Sequence, residues 1–116
     1  MAIETVGIVG AGQMGNGIAH VFALAGYNVL LNDIAQESLD KALAAIEKNM
    51  ARQVSRGKIS EADKTAAQAR IKTTLTLTDL GQTDLVIEAA TERESVKDTI
   101  FATLVPHLKP TTLLAS

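Results

Sequence analysis

Thr5-Val6-Gly7-Ile8-Val9-Gly10-Ala11-Gly12-Gln13-Met14-Gly15 is the stretch whose reading sets the architecture. The apolar run Val6-Gly7-Ile8-Val9 enters a glycine bend. A helical pattern, Gln13 to Ala25, leaves it, and a second apolar run, Val29-Leu30-Leu31, ends at Asp33. Strand, glycine bend, helix, strand and acid in that order form the fingerprint of a dinucleotide-binding crossover. Gly10 permits the tight bend off the first strand. Gly12 removes a Cβ where a pyrophosphate must approach the backbone, and Gly15 lets the helix pack close to the strand. The N–H groups and dipole at the helix start favour phosphate charge. Asp33 follows Gly15 by eighteen residues. Its carboxylate can accept hydrogen bonds from both hydroxyls of an adenosine ribose and would repel a 2′-phosphate. With no Arg or Lys in Asn32-Asp33-Ile34-Ala35, the stretch reads as NAD-binding rather than NADP-binding. A glycine turn in an unrelated α/β protein is the plainer alternative; the place of the acid and the length of both strands weigh against it.

The 116 residues bound the chain to one domain. A 47% hydrophobic content with only 3% aromatics predicts an aliphatic core, suited to a parallel sheet. The net charge of −2 argues against nucleic acid as the main partner. Without cysteine there is neither a disulfide framework nor a zinc cluster. No leader precedes the first strand, and no apolar run approaches membrane-spanning length, so a cytoplasmic protein is expected. Charge is unevenly placed. Between Glu47 and Lys72, seven basic residues stand against three acids, a local +4 on a chain whose remainder is −6. That segment suggests an anionic ligand, or equally a solvated helical surface.

Periodicity supplies the element order. Strands are expected at Thr5–Val9 and Asn28–Asn32. The first helix places Met14, Ile18, Val21, Phe22 and Ala25 on one face and stops at Gly26. A long helix over Gln36–Arg56 turns Leu39, Leu43, Ile46 and Met50 toward the sheet. Gly57 ends it, and Ser60 caps a short helix over Glu61–Arg70. This pair exceeds what a minimal crossover needs and reads as a functional insertion after strand two. Thr73–Leu77 is expected as strand three, Thr78–Gly81 as a turn, and Asp84–Ala89 as strand four. Thr91-Glu92-Arg93-Glu94 can form a capping box for a helix that turns Val96, Ile100 and Leu104 inward. Thr112–Ala115 is the fifth strand. The expected fold is a Rossmann-like, doubly wound parallel sheet.

In such a sheet, ligands bind across the carboxyl ends of the strands at the switch point, here between strands one and four. Ala89-Ala90-Thr91-Glu92 then faces the reactive end of a cofactor lying on Gly10–Gly15. Small alanines leave room there. Glu92 and Lys97 could hydrogen-bond that end, or could simply open a solvated helix. An alcohol dehydrogenase needs a general base, most often His. His20 reads as a helix-surface residue, and His107 lies near the wrong edge of the sheet. No Ser–His–Asp arrangement or metal-ligand cluster is present in the sequence. The chain offers a place for a hydride carrier and no convincing proton acceptor.

The stretches TVGIVGAGQMGNGIAHVFALAGYNVLLNDI, TDLVIEAATERESVKDTIFATL and TLLAS resemble the N-terminal NAD-binding domain of the 3-hydroxyacyl-CoA dehydrogenases, nearest to the bacterial short-chain branch acting on 3-hydroxybutyryl-CoA. The resemblance implies that Gly10, Ala11, Gly12, Gln13, Met14, Gly15 and Asp33 hold NAD. It puts Ala89, Glu92 and Lys97 near the nicotinamide half, and Asn49 and Arg56 where the long helix contacts coenzyme A. It implies a reaction that interconverts L-3-hydroxyacyl-CoA and 3-oxoacyl-CoA by hydride transfer. The family's catalytic Ser and His–Glu pair, and the helical domain that builds its homodimer, match nothing in residues 1–116. The chain is therefore expected to be a truncated NAD-binding domain that binds cofactor without turnover. Two other readings share the glycine loop: a 3-hydroxyisobutyrate-type dehydrogenase and a non-catalytic NAD-sensing module.

Overall fold

The computed structural model describes residues 3–90 and 93–115, the side chain of residue 94 excepted. Five parallel strands, β1 (Thr5–Val9), β2 (Asn28–Asn32), β3 (Ile71–Thr74), β4 (Leu85–Glu88) and β5 (Leu113–Ala115), lie in the order β3-β2-β1-β4-β5. The chain reverses its direction of growth between β1 and β4, so the switch point falls where the glycine bend leaves β1. The register sets Ile8 of β1 between Leu31 and Ile87, and Val9 between Asn32 and Glu88.

The two faces of the sheet are built differently. Val6, Ile8, Val29 and Leu31 point toward helices α1 (Gln13–Leu24), α2 (Gln36–Ser55) and α3 (Glu61–Arg70). Ala19, Ala23, Leu39, Ala42, Ile46, Met50 and Ala67 close a large aliphatic core there. On the other face Val9 and Val86 meet Leu80 of a 3-10 helix (Leu77–Gln82) and Leu104 of α4 (Glu94–Leu104). Gly7 makes this close approach possible: a Cβ there would lie 2.9 Å from Leu80 Cδ2.

Several expectations shift. The buried stripe of α1 is Gly15, Ala19 and Ala23, whereas Met14 and Val21 are more than half exposed. The small residues win because they let the helix axis approach the sheet; larger side chains are left to flank the contact. In α2 the inward position is Ala42 and not Leu43, which is 39% exposed, for the same reason. Strand β3 begins two residues earlier than expected, directly at the end of α3. Its pairing with β2, Val29 opposite Ile71 and Asn32 opposite Thr74, fixes that register. The expected turn at Thr78–Gly81 is part of the 3-10 helix. Helix α4 has Arg93 at its N-cap, with no side-chain cap, so the helix starts later than a box headed by Thr91 requires; Thr91 and Glu92 themselves lie outside the described residues. Val96 is not buried but faces a cavity at the strand ends. The cap at Ser60 is a reciprocal box: Asp63 N–H donates to Ser60 Oγ (3.0 Å), and Ser60 N–H to Asp63 Oδ2 (3.1 Å).

At the amino edge of the sheet, Asp84 ties three segments together. Its Oδ2 accepts the N–H groups of Glu4 (2.9 Å) and Thr5 (3.0 Å), and Lys109 pairs with Oδ1. The lysine, then the two amides, hold this carboxyl below the usual range, at about 2.

Candidate dinucleotide site

The glycine bend is a set of backbone constraints. Gly10 has φ +102°, and a Cβ there would lie 2.6 Å from Ala90 Cα. Side chains other than hydrogen are thus excluded by both dihedral and neighbour. Gly15 has no dihedral demand. A Cβ on it would stand 1.8 Å from the carbonyl oxygen of Gly10, so its absence is what brings α1 against the bend. Gly12 is the opposite case: a Cβ would meet nothing within 4 Å. Its bareness is not needed by the protein's own packing and leaves open space beside the backbone. Gly12 is also the N-cap of α1, with no side-chain cap bond and no acid in the first turn. The first-turn N–H groups therefore keep their positive end directed outward.

Asp33 is locked to this bend. Ala11 N–H donates to its Oδ2 (2.9 Å) and Ala35 N–H to its Oδ1 (3.1 Å). Each carboxylate oxygen retains a further lone pair for another donor. Gly10 N–H donates to Asn32 O (2.8 Å), which joins the ends of β1 and β2. Between these ends and β4 opens a cavity of about 520 Å³, the size of a ligand cleft. Val9, Gly10, Gly12, Asn32, Asp33 and Ala89 are on its wall. The expected residues Gly10, Gly12, Asp33 and Ala89 are thus brought together. Ala11 and Gln13 border a smaller neighbouring hollow, Gly15 is buried in the helix contact, and Met14 stands exposed on the first turn. Glu92 lies outside the described residues.

Lys97 does not line the cavity; its ammonium is 3.7 Å from Glu88 Oε1. Asn49 and Arg56 share α2 but lie away from the cavity, Asn49 half-buried and Arg56 exposed at the C-cap. Within the basic segment, Lys64 pairs with Glu47 (2.8 Å) and Arg70 donates to Ala23 O (2.8 Å). His20 makes a hydrogen bond to Gln53 across α1 and α2 (2.7 Å), as a helix-surface residue would. Sequence reasoning missed the apolar wall formed by Ile34, Leu75, Val96 and Ile100. It also assigned no role to Glu88, although a charge closing an otherwise apolar strand was a legible signal.

Residues 5–116 match the sequence family described as 3-hydroxyacyl-CoA dehydrogenase, NAD binding domain. The chain belongs to this family. NAD is the cofactor that defines the domain, and the bare Gly12 backbone and the anchored Asp33 fit it. The domain is 52% identical over 114 residues to a 3-hydroxybutyryl-CoA dehydrogenase of Bradyrhizobium diazoefficiens, covering 98% of this chain and 39% of that protein. It is 40% identical over 117 residues to a 3-hydroxyadipyl-CoA dehydrogenase of Escherichia coli, covering 98% of this chain and 24% of that protein. The crystal structure of an (S)-3-hydroxybutyryl-CoA dehydrogenase from Ralstonia eutropha superposes with a TM-score of 0.93 at 41% identity, over 98% of this chain and 41% of that one. The chain thus spans about two-fifths of the length of the Bradyrhizobium diazoefficiens and Deinococcus radiodurans relatives it matches. Among the described residues, no helix is long and apolar enough to cross a membrane.

Proposed function

We propose that this domain serves a dehydrogenase that interconverts L-3-hydroxyacyl-CoA and 3-oxoacyl-CoA, 3-hydroxybutyryl-CoA being the substrate class its named relatives favour. The observation that carries the reading is the pairing of Asp33 with the glycine bend at the rim of the cavity. Bound NAD would supply the hydride acceptor. The chain's part is to hold it. The first-turn amides at Gln13, Met14 and Gly15 face the diphosphate charge, the open side of Gly12 admits it, and Ala11 N–H fixes Asp33 for the adenosine ribose. Ala89 leaves room for the nicotinamide half, where Glu92 and Lys97 would contribute polar contacts.

Asn49 and Arg56 are proposed as contacts for the coenzyme A portion of the substrate. In support, Arg56 is exposed at the end of α2, and Lys48 and Arg52, also exposed, are in no ion pair among the described residues. A homodimer of the longer protein and a cytoplasmic setting belong to the same proposal.

Titration calorimetry with NAD, NADP and coenzyme A tests it. NAD is expected to bind more tightly than NADP. Asp33→Ala should weaken NAD by about 1.5–3 kcal/mol, the worth of hydrogen bonds to a charged group. Tighter binding of NADP than of NAD would overturn the assignment of Asp33.

A further inference from the structure

Glu88 is the only charged residue in the buried class among the described residues, and its side chain is fully enclosed. It ends β4 at the switch point, paired in register with Val9, the last residue of β1. Two contacts of its carboxylate reach the crevice side. Ala90 N–H, two residues on, donates to Oε2, and Lys97 from the first turns of α4 stands 3.7 Å from Oε1, its own side chain only 21% exposed.

These contacts meet the cavity on one side. Ala89 and Ala90 form part of its wall. The same Ala90 nitrogen is 2.7 Å from the position a Gly10 Cβ would take, so the segment that Glu88 grips is the one pressed against the glycine bend. A lysine stem is flexible and extends toward water unless an anion retains it. A buried ion pair adds little net stability over apolar packing, because desolvation offsets the attraction. Stability alone therefore does not account for a carboxylate here.

We propose that Glu88 is a positioning residue for the nicotinamide end of the crevice: it clamps the Ala89–Ala90 wall against Gly10 and tethers Lys97, acting through both. The inference rests on the NAD reading above and adds to it a residue that itself stays out of the cavity.

Glu88→Gln keeps the shape and an acceptor for Ala90 N–H but removes the charge that retains Lys97. Binding of NAD and of ADP, which lacks the nicotinamide riboside, is measured by calorimetry for the 116-residue chain, for Glu88→Gln, for Lys97→Met and for the double variant. The variants are expected to weaken NAD on the order of tenfold, with ADP changed by less than about twofold. The double variant should lose no more than the worse single one, since both break one interaction. Equal weakening of NAD and ADP, or losses in the two singles that add, would show a merely structural role and overturn the proposal. So would a lowered melting temperature with NAD affinity intact. Should Glu88→Gln fail to fold, Glu88→Asp, which keeps the charge but draws it away from Lys97 and Ala90 by one methylene, takes its place: an NAD loss without an ADP loss supports the clamp, and parallel losses reject it. A wild-type chain that binds neither nucleotide would instead reject the underlying NAD reading.

Discussion

The two ends of the crevice are held by different physics. At the β1–α1–β2 end, the geometry is enforced by main chain: a positive φ at Gly10, a carbonyl that admits no Cβ at Gly15, and amides that grip Asp33. At the β4–α4 end, it is enforced by side chains, through Glu88 and Lys97. Main-chain constraints tolerate almost no substitution but depend on few partners. A side-chain clamp can be weakened stepwise. The contrast teaches that the anchoring half of a cofactor site can be rigid while the reacting half remains adjustable.

The largest effect should come from breaking the first end. Gly15→Ala sets a Cβ 1.8 Å from Gly10 O, and overpacking against backbone should cost about 3 kcal/mol or more. Chemical denaturation would show it, and a loss under 1 kcal/mol would mean that α1 can slide away from the bend. A middle effect should come from Asp84, at the opposite edge of the sheet, which loosens both ends alike. Its carboxyl titrates at about 2 in the fold, against 3.8 for an ordinary Asp. Its contribution is thus complete above the unfolded value and lost as pH falls toward the folded one. Wild-type melting temperature should drop between pH 5 and pH 2 more steeply than that of Asp84→Asn, with no discrimination between NAD and ADP in the variant. Parallel pH profiles would remove Asp84 from the account.

The smallest effect on stability should come from Gly12→Ala. Nothing lies within 4 Å of the added Cβ, so the change should stay within about 0.5 kcal/mol. NAD affinity should nevertheless fall, because the methyl group enters the space left beside the backbone. A variant that binds NAD as well as the wild type would break the distinction between Gly15, required by the fold, and Gly12, proposed to be kept bare for the ligand.

Much of the anchoring end was legible in the sequence, because its constraints are local. Gly10, Gly12 and Gly15 follow from the bend, and Asp33 from its place at the end of the second apolar run. The Ser60 cap was legible for the same reason, and the structure adds the return bond from Ser60 N–H to Asp63. Helix faces were less so. Counting large apolar residues selected Met14 and Val21, yet close packing on the sheet selected Gly15, Ala19 and Ala23. The start of β3 was misplaced because β-branched composition favours Thr73–Leu77, whereas pairing with β2 selects Ile71–Thr74.

The sequence by itself determined the order of elements, the glycine bend with its acid, and membership of an NAD-binding family, since each rests on spacing along the chain. Only the tertiary structure decided which helical residues are enclosed, that Ile34, Leu75, Val96 and Ile100 wall the cavity, and that Glu88 meets Lys97. Those outcomes depend on how closely elements distant in sequence approach one another, a distance set by packing and not by any local pattern.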